Sequence, residues 1–150
     1  LLINIMGMTT YLLYPAAPPW YVEEYGLGPA NLAAAPSAAG TAAFDALLGI
    51  SYFKNFYARN TNVFGAMPSL HVGYPTLVLC VTATMGVPWA VSTGLFALWV
   101  AFSAVYLRHH YVFDVIFGAL YAVLAHGLVL SVEWLRRRAD AVRDRETITT

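Results

Sequence analysis

Four mostly apolar stretches alternate with polar turns along the chain, a pattern that predicts membrane-spanning helices. Residues 88–107 contain no charged side chain, and residues 111–135 contain only two, Asp114 and Glu133. Both runs reach the roughly 20 residues that a helix needs to cross a bilayer core. The run at 69–85 is shorter, and we expect it to be a third span. The run at 1–14 is shorter still and predicts the distal part of a span belonging to a longer protein.

The connections between these runs carry different signals. Small and turn-forming residues at 86–88 predict a tight turn between antiparallel helices. The long segment 15–68 divides into two parts. Residues 15–36 are rich in Pro, Gly and Tyr, which predicts an ordered loop without regular structure. Residues 40–57 carry aromatic and leucine side chains at helical spacing, which predicts one interfacial helix lying along the membrane.

Composition supports a membrane protein. Hydrophobic residues make up 59% of the 150 residues and charged residues 11%, against roughly 45–50% and about 25% in soluble domains. Eight basic residues balance eight acidic ones, so neither a disordered tail nor bulk attraction to nucleic acid is supported. The single cysteine, Cys80, lies in an apolar run and is interpreted as a buried hydrophobe.

The positions of the basic residues predict an orientation. Because positive charge is concentrated on the cytoplasmic side of membrane proteins, the basic cluster after the last run places the C-terminus in the cytoplasm. The turn at 107–111 then lies outside, as does the segment before Ser69. We therefore divide the chain into a membrane-embedded catalytic domain, residues 1–135, and a charged helical cytoplasmic tail, residues 136–150. The cluster comprises Arg136, Arg137, Arg138, Arg143 and Arg145.

The predicted outer ends of the helices carry the candidate chemistry. His110 and Asp114 are one helical turn apart, so the carboxylate is predicted to accept the ring N–H and to leave the other ring nitrogen free to attack an electrophile. Ser69 follows Pro68 at a predicted helix start, where unpaired N–H groups suit a phosphate. His71, in the first turn of that helix, is placed to act as a general acid.

Two segments give these residues a family resemblance. VFGAMPSLH at 63–71 and SAVYLRHHYVFD at 103–114 resemble the second and third signatures of the type 2 phosphatidic acid phosphatase superfamily. Together with YPAAPPWY at 14–21, they look most like its inositol phosphorylceramide synthase branch. The resemblance implies an all-α membrane bundle with about four spans of a six-helix core present.

The resemblance also implies roles for individual residues. His110 corresponds to the phosphohistidine nucleophile, Asp114 to its orienting partner, His71 to the general acid and base, and Ser69 to a phosphate ligand. No metal or cofactor is implied. The expected substrate is a phospholipid or another phosphorylated lipid, and the acceptor is either water or an alcohol.

Two departures from the family pattern change the expected phosphate site. The first signature, Lys-x6-Arg-Pro, is absent, and Ala104 stands where the third signature has arginine. The remaining outer basic residues are therefore predicted to bind phosphate, with Arg108 as the clamp. The other predicted positions are Arg59 and Lys54 at the phosphate, and His109, Tyr14 and Trp20 at the rim of the site.

Three other interpretations remain open on the sequence. The His110–Asp114 pair is structural in one of them, closing a helix end. In the second, His71, His109, His110 and Asp114 bind zinc in a metal-dependent hydrolase, although adjacent histidines rarely ligate one ion. In the third, the intramembrane acidic group belongs to a transporter or scaffold without catalysis.

Overall fold

The computed structural model describes residues 1–59 and 62–148, and every regular element within them is helical. This confirms the all-α fold class. The long helices α5, α6 and α7 follow one another at the C-terminal side, and shorter helices precede them. The α-helices are α1 (Leu2–Leu13), α2 (Pro19–Tyr25), α3 (Ala42–Leu48), α4 (Tyr52–Tyr57), α5 (Leu70–Thr82), α6 (Val87–Tyr106) and α7 (Val112–Ile148). Two 3-10 turns, Ala39–Thr41 and Ala83–Met85, precede α3 and follow α5.

Two of these helices are long and apolar enough to cross a membrane, namely Val87–Tyr106 and the Val112–Ala141 part of α7. Only 11% and 17% of their most apolar windows are buried within the structure, whereas a core helix of a soluble protein is mostly buried. The outward face of α6 exposes large apolar side chains, including Phe96, Trp99 and Phe102. Such a face is suited to lipid, so membrane association is supported. Helices α1 and α5 are shorter, and the four-span count stays a prediction.

Helix α5 packs against both α6 and α7, and α1 packs against α5 and α7. Small residues on α7 allow this close approach, as is common between membrane helices. A Cβ atom at Gly118 would lie only 2.1 Å from the Ser69 carbonyl oxygen. The buried core cluster lies where α1, α5 and α7 meet. It comprises Ile3, Leu70, Ala122 and Ala125.

The interfacial helix expected over residues 40–57 is instead two short helices, α3 and α4, that pack on each other. Helix α3 ends at Gly49, whose φ of +65° is the left-handed conformation that glycine adopts without strain. The buried carboxylate of Asp45 then accepts hydrogen bonds from the N–H groups of Phe53 at 3.1 Å and Lys54 at 2.8 Å. Gly49, which ends α3, and the Asp45 side chain, which caps α4, therefore divide a segment that has continuous helical periodicity.

The segment 15–36 was expected to lack regular structure, but it contains helix α2. Pro19 occupies the first turn of α2, where the missing N–H costs nothing. Just before it, Ala16 pairs with residues near Gly65: the Ala16 N–H donates to Phe64 at 2.8 Å, and the Ala66 N–H donates to Ala16 at 3.1 Å. Residues 15–68 connect α1 to α5 and are called the connecting segment. These bonds fix its start against its last residues, which lead into α5.

Helix α7 continues without interruption from the apolar part into the charged part and ends at Ile148. The boundary predicted between residues 135 and 136 therefore falls inside one helix, and the helical character of the tail agrees with the expectation. Residues 149–150 of the predicted tail lie outside the described residues.

Candidate functional site

His109 and His110 lie in the turn between α6 and α7. The Ala104 carbonyl accepts hydrogen bonds from the N–H groups of both histidines, each at 3.1 Å. Arg108 has a φ of +61°, a left-handed conformation that is uncommon for a residue with a side chain. The backbone therefore reverses direction within a few residues, and the two imidazoles are fixed at the end of α6.

The connecting segment holds the same turn from outside. The Gly40 N–H donates to the Leu107 carbonyl at 3.0 Å, and the Trp20 N–H donates to the Arg108 carbonyl at 3.2 Å. A Cβ atom at Gly40 would lie 2.9 Å from Leu107 Cα, so this approach requires glycine. The histidine turn is consequently bonded to two separate parts of the connecting segment.

The buried imidazole of His110 has a partner on each ring nitrogen. Nδ1 lies 2.8 Å from the Ala66 carbonyl oxygen, and Nε2 lies 3.1 Å from Nδ1 of His71. Because a carbonyl oxygen only accepts, Nδ1 must carry the hydrogen, and Nε2 of the neutral ring then carries the lone pair. The lone pair that a nucleophile needs thus points toward His71.

Asp114 is buried, but its placement corrects the predicted hydrogen bond. Its Oδ2 atom lies 3.7 Å from His110 Nδ1, which is beyond hydrogen-bond distance. The same oxygen accepts the Tyr111 N–H at 2.7 Å, which caps the start of α7. Asp114 therefore supplies negative charge beside the imidazole, while the Ala66 carbonyl sets the orientation of the ring.

Ser69 lies at the start of α5, where the sequence predicts a helix cap. It is the N-cap residue, and it is fully buried, but its hydroxyl makes no capping hydrogen bond and has no partner. Its backbone N–H donates instead to the Asp114 carbonyl at 2.9 Å. Next to it, the Tyr11 hydroxyl donates to the Pro68 carbonyl at 2.8 Å. Helices α1 and α7 therefore hold the start of α5, and with it His71.

A cavity of about 70 Å³ opens beside the histidine pair. His71, His109 and His110 all line it, together with Tyr57, Trp20 and residues around Ala66. Trp20 lines this cavity, whereas Tyr14 is exposed and does not line it. A reacting group of a bound molecule can enter this space and contact both His71 and His110.

His109 was predicted at the rim of the site, and in the structure it forms part of the cavity wall. Its ring stacks on Tyr57 with centroids 4.6 Å apart, and its Nε2 atom is buried with no hydrogen-bond partner among the described residues. Burial, together with the nearby His110 and His71, lowers the pKa of His109 to about 4. The imidazole is therefore neutral near pH 7.

The structure does not bring the predicted phosphate-binding cations to this cavity. The Arg108 Nη1 atom pairs with the Glu23 carboxylate at 2.6 Å, and both side chains are about half exposed. Arg108 lines a neighbouring cavity with Glu23, while Lys54 and Arg59 are exposed and do not line the histidine cavity. Phosphate binding by these residues stays a prediction.

The metal alternative requires several donors around one point. Among residues 1–59 and 62–148, no group of three or more His, Cys, Asp or Glu side chains is placed to hold a metal ion. Both ring nitrogens of His110 already have partners, as described above. The arrangement suits proton transfer between two imidazoles.

Comparison with known proteins decides the family. Residues 1–128 match the sequence profile of the PAP2 superfamily. The chain belongs to the PAP2 superfamily. This confirms the resemblance carried by the segments at 63–71 and 103–114.

Three relatives within the PAP2 superfamily have names that describe their products. The phosphoinositol dihydroceramide synthase of Bacteroides thetaiotaomicron is 39% identical over 83% of this chain and 41% of its own length. The inositol phosphorylceramide synthase catalytic subunit of Schizosaccharomyces pombe is 34% identical over 81% of this chain and 29% of its own. The inositol phosphorylceramide synthase of Candida albicans is 35% identical over 79% and 25%. The chain thus spans less than half the length of these relatives, and no solved structure matches it.

Several residues at this PAP2 site carry no chemical motif and were missed by sequence reasoning. Ala66 contributes a backbone carbonyl, which leaves no trace in its side chain. Gly118 permits contact with Ser69, and Tyr11 bonds the same helix start from α1. The small residues at 118, 122 and 125 were a usable signal, since their spacing predicts a helix face for close packing. The pairing of Glu23 with Arg108 joins distant segments and had no local signal.

Proposed function

We propose that this protein is a membrane-embedded lipid phosphotransferase in which His110 becomes transiently phosphorylated. The observation that carries the proposal is the hydrogen-bonded His71–His110 pair, with Nδ1 and Nε2 3.1 Å apart at the edge of a cavity. Because the Ala66 carbonyl holds the hydrogen on Nδ1 of His110, Nε2 is the nucleophilic atom. Family membership and the names of the relatives support phosphorus as the electrophile.

The first half of the reaction cleaves a phosphate ester. A phosphorylated lipid enters the cavity and replaces the contact between the two imidazoles. Nε2 of His110 forms a bond to phosphorus, the bond from phosphorus to the lipid oxygen breaks, and protonated His71 gives its proton to that oxygen. The positive charge that develops on His110 is stabilised by Asp114, 3.7 Å from Nδ1.

The second half transfers the phospho group to an acceptor. His71, now neutral, removes a proton from an incoming hydroxyl, whose oxygen attacks phosphorus while the bond to Nε2 of His110 breaks. Ser69, at the start of α5, would contribute to the phosphate environment through the positive end of the helix dipole. From the names of the relatives, we infer that the phospho group is phosphoinositol and the acceptor a ceramide hydroxyl.

An orientation belongs to the proposal as well. The arginine-rich part of α7 supports a cytoplasmic C-terminus, because basic residues near a span end favour that side. The histidine turn at the other end of α7 then lies on the extracytoplasmic face. Labelling of single cysteines introduced at Arg108 and Arg138 with a membrane-impermeant thiol reagent tests this, and reaction of the Arg138 position in sealed cells would contradict it.

The decisive experiment traps the intermediate. The full-length protein in membranes is mixed with an inositol phospholipid labelled in the phosphate and quenched in alkali, which preserves phosphohistidine. We expect acid-labile label on the wild type and none on His110→Gln, with His126→Gln on the same helix as the matched control. Mass spectrometry with and without a ceramide then distinguishes transfer to an alcohol from hydrolysis. A wild type that never acquires label would favour a transporter or scaffold instead.

A further inference from the structure

A second cavity, of about 130 Å³, adjoins the histidines and is not used by the proposed reaction. It has Tyr57, His71, His109 and His110 in common with the first cavity. The remaining lining residues differ completely. The first cavity is completed by the connecting segment. The second is completed by the last turns of α6 and the residue that follows it: Val100, Ser103, Ala104 and Leu107.

The surfaces of the two cavities also differ in character. The second is mainly apolar, whereas the first has a much larger polar share. A lipid phosphate ester also has one polar and one apolar side. The phosphate is polar, and the carbon bonded to the ester oxygen belongs to the part of the lipid that carries the hydrocarbon chains. The histidine pair lies where the two kinds of surface meet.

The position of the second cavity on α6 favours hydrocarbon as its occupant. Helix α6 is a candidate membrane span, and it exposes Phe96, Trp99 and Phe102 on its outward face. Lipid chains therefore lie against the outward face of the helix that forms this cavity wall. Hydrocarbon that enters beside α6 remains in an apolar environment up to the reacting histidines.

Ala104 controls how much space is available there. Its side chain is buried and lines the cavity, while its carbonyl holds the N–H groups of His109 and His110. The family signature has arginine at this position, and an arginine side chain would extend into the cavity and bring charge. Alanine leaves the space open and apolar.

We propose that Ala104 is a specificity-determining residue, because it keeps an apolar cavity open for the hydrocarbon of the lipid substrate directly beside His110. The inference rests on the proposed function and deepens it. It predicts that filling the cavity discriminates against lipids and spares substrates that lack chains.

The test compares two donors with one variant and its matched control. Full-length Ala104→Leu and Ala101→Leu, both on α6, are reconstituted in vesicles; Ala101 does not line the cavity. Each is assayed with a diacyl inositol phospholipid and with the same donor after deacylation. The release of diacylglycerol or glycerol gives kcat/KM for each donor.

Exclusion of one methylene from an apolar site lowers kcat/KM by about fourfold, so exclusion of three lowers it by about 60-fold. We expect that loss for Ala104→Leu with the diacyl donor, less than a threefold change with the deacylated donor, and near wild-type values for Ala101→Leu. Val100→Phe narrows the same cavity and is expected to show the same selectivity if Ala104→Leu does not fold.

Equal losses with both donors would overturn the inference, because they would show that the substitution disturbs the histidine turn itself. Unchanged turnover of the diacyl donor would overturn it as well. In both cases, wild-type phosphohistidine would still support the proposed function. Absence of phosphohistidine and of turnover in the wild type would instead overturn the function and the inference together.

Discussion

Replacement of Gly118 by alanine gives the sharpest test of how the fold positions the site. Gly118 lies one helical turn after Asp114 on α7, against the first residues of α5. The added Cβ would lie 2.1 Å from the Ser69 carbonyl oxygen and 2.9 Å from its carbonyl carbon. These are backbone atoms, so no side-chain rotation relieves the clash. The start of α5 must move away from α7.

The size of the effect follows from this displacement. Restoring ordinary contact distance requires a shift of about 1 Å, and overpacking of this kind costs about 1–3 kcal/mol. The shift also lengthens the Ser69–Asp114 backbone hydrogen bond, now 2.9 Å. His71 lies two residues after Ser69 and moves with it. Because misplacement of a catalytic group by about 1 Å costs about 100-fold in rate, we expect kcat to fall by about that factor.

The assay combines turnover of the lipid donor with thermal unfolding in detergent. Gly127→Ala, on the same helix, is the matched control, because a Cβ atom there meets nothing within 4 Å. It should retain kcat and gain about 0.5–1 kcal/mol of stability, the usual benefit of alanine over glycine in a helix. If Gly118→Ala kept kcat within twofold of Gly127→Ala, the close α5–α7 contact would not be what positions His71.

Three further predictions concern other parts of the structure. Tyr11→Phe removes the hydroxyl that donates to Pro68 and should cost about 1 kcal/mol of unfolding free energy; unchanged thermal unfolding would contradict this. Asp45→Ala leaves two N–H groups at the start of α4 without acceptors and should cost about 1–2 kcal/mol by the same measurement, whereas exposed Asp140→Ala should cost little. Since the pKa of His109 is about 4 when folded and 6.5 when unfolded, its contribution to stability is complete above pH 6.5 and declines as the pH falls toward 4. His109→Gln should therefore reduce the loss of stability between pH 7.5 and pH 5 by up to about 2 kcal/mol, and an equal loss in both proteins would refute the assigned pKa.

The sequence predicted the parts of the fold and site that depend on local spacing. The unbroken apolar run at 88–107 anticipated α6 to within a residue or two. Pro68 and Ser69 correctly marked the start of α5, which made it possible to place His71 in its first turn. The spacing of His110 and Asp114 likewise placed both beside the start of α7, although the predicted hydrogen bond between them is not made. In each case, the information lies within one or two helical turns.

The parts that were missed depend on contacts between distant segments. The acceptor for His110 is a backbone carbonyl of Ala66, and any residue type supplies the same group. Arg108 was predicted to bind phosphate because it is one of three basic residues on the outer side, and its pairing with Glu23 on α2 joins distant segments that no local pattern connects. The break at Gly49 was visible as a glycine, but the hydrogen bonds from Phe53 and Lys54 to Asp45, which hold the start of α4, had no local signal.

The connecting segment therefore has a larger role than a loop between spans. It supplies the Ala66 carbonyl that sets the tautomer of His110, and its Gly40 and Trp20 N–H groups hold the turn on which His110 lies. The bridge between Ala16 and Gly65 joins the start of this segment to the residues just before α5. Since the orientation of His110 depends on backbone bonds, substitutions that bend this segment should lower kcat even when every histidine and aspartate is retained. In the proposed mechanism, the ring of His110 is fixed by these other bonds, so Asp114, 3.7 Å away, needs only to stabilise the positive charge that develops there.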